Sequence, residues 1–118
     1  MEVPVDVQRM LIDKVDEPCL PLVHSTTPVS NQVEELSALV KAAKRPVIWL
    51  GGGSRRASAE ANELVRRGFC AVTSTNGRAV VDEANPATLG AFNMTPQTAA
   101  LYERADLMLV VGSRLRGN

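Results

Sequence analysis

Apolar residues fall along this chain in two spacings. In three places four or five stand together: Val47-Ile48-Trp49-Leu50, Phe69-Cys70-Ala71-Val72-Thr73 and Leu107-Met108-Leu109-Val110-Val111, each with a glycine directly beside it. Unbroken runs of that length read as short strands buried on both faces, the habit of a parallel sheet. Elsewhere the spacing is helical. Val33, Leu36, Leu39, Val40 and Ala43 form one stripe, which Pro46 ends. Ser30 or Asn31 is placed to cap that helix, and early Glu34 and Glu35 with late Lys41 and Lys44 agree with its dipole. A second helix is expected over 56–67, with Ala57, Ala61, Leu64 and Val65 inward and Gly68 just past its end. A third starts at Thr95-Pro96, with proline in its first turn, and runs to Ala105.

The order is α-β-α-β-loop-α-β, which predicts an α/β fold: a three-layer, Rossmann-like parallel sheet with crossover helices. Residues 1–8 alternate β-branched and polar positions around Pro4, so they read as a strand confined to an edge, with nothing nearby to pair with. Residues 9–29 carry Pro18, Pro21 and Pro28 and no sustained period, which marks a linker, one that Leu20, Leu22 and Val23 press against a surface. Residues 74–93 form a long loop with Asn76-Gly77, Asn85-Pro86 and Gly90, shortened by a one-turn helix over 80–83.

Composition narrows the function more than the fold. The chain has 118 residues, one domain or a piece of one, with 45% hydrophobic and only 3% aromatic residues. Thirteen basic residues balance thirteen acidic ones, so the electrostatic drive for binding nucleic acid or a membrane surface is missing. No apolar run approaches the ~20 residues that span a bilayer. Cys19 and Cys70 are far apart without a CxxC pattern, which suits reduced thiols in the cytoplasm.

Candidate chemistry gathers at the strand ends. In an open parallel sheet ligands lie beyond the C-terminal ends of the strands. Here those ends are Gly51-Gly52-Gly53-Ser54, Ser74-Thr75-Asn76-Gly77 and Gly112-Ser113-Arg114, all on one rim. Three glycines between a strand and a helix suit an anion at the helix N-terminus, and equally suit tight packing of helix on sheet. A G-x-G-x-x-G fingerprint fails because Arg56 stands at the third glycine, and the next strand ends without an acidic residue for a ribose. Arg55 and Arg56 oppose the helix dipole and read as solvated. Arg114 is the best-placed donor for an anion. His24 stands alone, Trp49 reads as core with its N–H on a backbone acceptor, and neither a metal-ligand cluster nor a nucleophile–base pair is present.

Several segments together resemble the central domain of thiamine-diphosphate-dependent enzymes of the acetolactate synthase-like kind. They are Ala42-Ala43-Lys44-Arg45-Pro46-Val47-Ile48 running into the three glycines, Val72-Thr73-Ser74-Thr75-Asn76-Gly77-Arg78, Asn85-Pro86 with Leu89-Gly90, and Ala105-Asp106-Leu107 into Val111-Gly112-Ser113-Arg114-Leu115. Glu2-Val3-Pro4-Val5-Asp6-Val7-Gln8 resembles the closing strand of the preceding pyrimidine-binding domain. The resemblance implies a DHS-like NAD/FAD-binding fold cut to the first half of its usual six strands. It implies residues 1–8 as that closing strand, 9–29 as interdomain linker and 30–118 as a truncated central domain.

By that resemblance the parent binds thiamine diphosphate and magnesium through its other domains and acts as a transferase or lyase on 2-keto acids. This segment holds neither group and has no catalytic residue. Its partners are the remaining domains of the parent, in a homo-oligomer. A nucleotide, FAD or ADP, would be lined by Gly51, Gly52, Gly53, Ser74, Thr75, Asn76, Leu89, Gly90, Gly112, Ser113 and Arg114. FAD-binding members read GxRFDDR at the third strand, whereas arginine stands at position 116 here, so FAD, ADP and an empty site all stay open. Two alternatives from other classes are a free-standing FAD- or ADP-binding module and a dimerisation module built on the open edge of half a sheet.

Overall fold

A computed structural model describes residues 4–11, 27–92 and 94–115. Its centre is a four-stranded, wholly parallel sheet in the order β3-β2-β1-β4, formed by β1 (Pro46–Leu50), β2 (Cys70–Thr73), β3 (Thr88–Gly90) and β4 (Leu107–Val111). The three expected strands are present, and a fourth joins them. β3 escapes a periodicity reading because it is three residues long and pairs with β2 through a register shift at Ala71/Val72.

Helices cover both faces, which makes three layers. On one face α3 (Ser58–Arg66) packs Ala61 and Val65 on Ile48, Leu50 and Ala71, together with Phe69, Val80 and Val81. Full burial of side chains the size of Ile48 or Leu50 is worth about 1.5–3 kcal/mol each. On the other face α4 (Pro96–Arg104) sets Tyr102 against Trp49, ring centroids 6.0 Å apart. A capping box fixes the start of α4. Thr98 N donates to Thr95 Oγ1 and Thr95 N donates to Thr98 Oγ1.

Several expectations need correction. Val5–Gln8 form a single α-helical turn, α1, instead of a strand. A strand needs a partner ladder, and no strand of the sheet pairs with these residues. α2 (Ser30–Ala42) starts at Val29 with no side-chain cap; Asn31 Oδ1 accepts only from the adjacent Gln32 N. Of its apolar stripe only Val40 packs on the core, while Val33, Leu36 and Leu39 are exposed. The helix after the glycines begins as a 3-10 stretch, Gly52–Ala57, and becomes α-helical at Ser58. Residues 80–83 are turns and not a helix, yet Val80 and Val81 are buried. The Trp49 indole N–H is buried without a hydrogen-bond partner among the described residues. The rest of the linker expectation, with Cys19 and His24, lies outside the described residues, as does position 116.

Gly68, following the C-cap residue Arg67, takes φ +103°, the conformation a chain reversal at that point requires. Among the described residues, no helix is long and apolar enough to cross a membrane.

Candidate functional site

β1 is the strand from which the chain departs in both directions. β2 lies on one side of it and β4 on the other, so the switch point falls between the C-terminal ends of β1 and β4. That is where a doubly wound sheet offers a crevice. The sequence delivers Gly51, Gly52 and Gly53 to one lip and Gly112 and Ser113 to the other.

The lips are closed on each other. Gly51 N donates to Val111 O at 2.8 Å, Gly53 N to Gly112 O at 3.0 Å, and Ser54 N to Gly51 O at 3.1 Å. The buried Ser54 hydroxyl also donates to Gly51 O, at 2.6 Å. A Cβ on Gly51 would lie 2.6 Å from Ser113 Cα and closer still to Gly112 O; one on Gly53 would lie 2.9 Å from Gly112 Cα. The glycines therefore admit another stretch of backbone. Three amides of this turn are spent on the protein's own carbonyls, so the turn is not a ready phosphate cradle of the P-loop kind.

Gly77 performs the same task between β1 and β2: its Cβ position is already occupied by Leu50 O. Ser74 N donates to Leu50 O at 2.9 Å, and Ser74 Oγ accepts from Gly77 N at 3.1 Å, closing a 3-10 turn over Thr75–Gly77. Arg55 is not merely solvated. Its Nε and Nη2 donate to Asn76 O at 3.3 and 3.2 Å, tying the glycine turn to the second strand's loop. Gly52 is different again, since a Cβ there would meet only the Asn76 Cβ and carbonyl at 3.2–3.3 Å.

Of the residues expected to line a ligand, Gly51, Gly52, Gly53, Asn76, Gly112 and Ser113 come together. Thr75, Asn76 and Arg114 are exposed on the rim, and Arg114 has no ion-pair partner among the described residues. Leu89 and Gly90 stand apart, on the edge strand two strand spacings (~10 Å) from β1. Ser54 and Gly77, which the sequence places on the rim but outside the expected ligand-lining set, belong to the assembly as well. A serine directly after three glycines, and a glycine ending Asn76-Gly77, were the available signals.

The opposite rim holds a second clasp. The Asp106 carboxylate accepts from Lys44 N and Arg45 N, both at 2.8 Å, and Arg45 Nε donates to Arg104 O at 2.5 Å. The Lys44 and Arg45 amides hold this carboxyl below its ordinary range. Cys70 is a free thiol whose pKa burial raises, which disfavours the reactive thiolate.

A family model described as the thiamine pyrophosphate enzyme central domain matches residues 33–118. The chain belongs to that family. It is 30% identical over 97% of its length to the acetolactate synthase isozyme 1 large subunit of Escherichia coli, of which it covers 21%. To acetolactate synthase of Mycobacterium bovis it is 34% identical over 76% of the chain and 15% of that protein. To the chloroplastic acetolactate synthase 3 of Brassica napus the identity is 32%, over 97% and 19%. The chain thus spans about a fifth of the length of these relatives.

Among the described residues no three of His, Cys, Asp and Glu come together. At the central-domain rim an anion would meet the side chains of Thr75, Asn76 and Arg114 and not the turn amides.

Proposed function

We propose that this segment serves a thiamine-diphosphate enzyme of the acetolactate synthase type as a structural central domain, and that its C-terminal rim offers ADP or FAD a ledge. The family match over residues 33–118 carries the reading. When bound in the parent, thiamine diphosphate supplies the electron sink for decarboxylating a 2-oxo acid. The part taken by this chain is to hold the neighbouring domains in register. What supports the nucleotide half of the proposal is the rim: all four strands are parallel and end on one side, and Arg114, exposed just past β4, has no ion-pair partner among the described residues. The diphosphate would rest on Arg114 with Thr75 and Asn76 beside it.

Calorimetric titration of the 118-residue chain tests both halves. ADP or FAD is expected to saturate, with affinity falling about tenfold in Arg114→Ala, the worth of one charge-assisted hydrogen bond. Titrations flat for both nucleotides remove the ledge. Binding of thiamine diphosphate with magnesium, or turnover of a 2-oxo acid by this chain alone, overturns the scaffold reading.

A further inference from the structure

The chain leaves the Thr75–Gly77 turn through a strained bend. Val80 N donates to Gly77 O at 3.3 Å, which closes a four-residue turn. Arg78 at φ −55°, ψ 147° and Ala79 at φ +61° give it type II geometry, whose third residue takes the left-handed conformation that favours glycine. Alanine stands there instead, and its Cβ makes that conformation unfavourable. A residue so placed persists only where its surroundings over-determine it.

Two side chains of α3 supply the hold. Asn62 uses both ends of its amide: Nδ2 donates to Val80 O at 3.3 Å, and Oδ1 accepts from Asp82 N at 3.0 Å. Ser58 Oγ donates to the same Val80 O at 2.5 Å. Asn62 Nδ2 also donates to Ser58 O at 2.8 Å, which fixes the amide against its own helix. An asparagine within a helix is otherwise a poor choice. Val80 and Val81 are buried in the core beside these bonds, while Glu83 Oε1 accepts from the exposed Ala79 N at 3.2 Å. On the other side of the bend Gly77 is fixed under Leu50 O. Only Arg78 and Ala79 join the two fixed points.

We propose that Asn62 is the positioning residue of the nucleotide ledge. By clamping residues 80–82 it holds Ala79 in its strained conformation, and so sets where Thr75 and Asn76 stand. The use of the ledge rests on the function proposed above; the clamp rests on its hydrogen bonds alone. Every group of the clamp comes from the segment between β1 and β3.

The experiment combines residue-resolved amide exchange with titration by ADP and by FAD, on the 118-residue chain. In Asn62→Leu the Asp82 amide is expected to exchange about tenfold faster, the worth of one hydrogen bond. The Gly77 amide, which belongs to the ledge turn, is expected to exchange about threefold faster, while Gly51, in the β1–β4 ladder, keeps its rate. Affinity for the nucleotide that binds falls about three- to tenfold. Adding Ala79→Gly restores most of it, because glycine holds the bend without the clamp. Ala79→Gly alone leaves Asn62 in place and is expected to slow exchange at Asp82 about threefold; faster exchange there overturns the strain. Faster exchange at Asp82 with Gly77 unchanged overturns the positioning role, since the clamp then stops short of the ledge. So does an equal rise at Gly51, which would make Asn62 a support of the whole fold, and so does a nucleotide affinity that Asn62→Leu leaves intact. Flat titrations of the unsubstituted chain fell the ledge reading instead, and the Gly77 rate then decides the clamp by itself.

Discussion

β1 and β4 are fastened to each other at both ends, by opposite means. At the C-terminal rim Gly51, Gly53 and Gly112 lie backbone on backbone, with two interstrand hydrogen bonds and no space for a Cβ. At the N-terminal rim a single carboxylate, Asp106, reaches across to two amides at the start of β1. The first fastening is steric and insensitive to pH or salt. The second is electrostatic, solvent-exposed and titratable. The rim a parallel sheet offers to ligands is thus the one made rigid by packing, and the rim away from it carries the charge.

The hardest blow to this contrast is Gly51→Val. Its Cβ has nowhere to go but into the Gly112 carbonyl, and overpacking against backbone is expected to cost about 3 kcal/mol or more. Urea denaturation followed by circular dichroism measures it; a midpoint close to that of the unsubstituted chain would dismiss the backbone lock. Asp106→Ala should lower the midpoint by less, since it removes two exposed hydrogen bonds and leaves the β1–β4 ladder intact. A loss equal to that of Gly51→Val would mean that the two rims are not different in kind.

Acid separates them further. Asp106 is held below its unfolded-state pKa of ~3.9 by the Lys44 and Arg45 amides, so its contribution to stability is complete above that value. It fades as pH falls through the lower, folded-state pKa. Glu63, held low by Arg67 and Arg66, adds to the same window. Midpoints measured below pH 4 should therefore drop less steeply in Asp106→Asn than in the unsubstituted chain; parallel curves would remove the carboxylate clasp. The smallest effect belongs to Gly52→Ala. Its Cβ meets the Asn76 Cβ and backbone carbonyl at 3.2–3.3 Å, tight contacts that a few tenths of an ångström of movement in the Thr75–Gly77 turn relieve, and the change is expected to stay within about 1 kcal/mol. A large loss there would show that the middle glycine is as constrained as its neighbours.

Much of this fold was legible before any coordinates. The run Leu107–Val111 is bounded as the pattern predicts, because five apolar residues before a glycine have few other uses. β3 was not legible, since three residues give no period, and neither was the burial of Val80 and Val81, an isolated pair between turns. The stripe on α2 misled in the other direction. Its spacing is helical, but spacing says only that a face is apolar, and Val33, Leu36 and Leu39 of that face stay exposed. At the site, the sequence pointed to the glycines and to Arg114 and left their partners unstated.

What the residues determined alone was local: the three longer strands, the three longer helices, and that those strands' ends share one rim. Whether the glycines face a ligand or another backbone was decided only by the tertiary fold. Position 112 lies far along the chain from position 51, and the Lys44–Asp106 bond joins residues 62 positions apart. Such contacts exist only once the crossover has carried β4 to the far side of β1. The short-range forces that shape a strand or a turn carry no information about which carbonyl will then stand opposite.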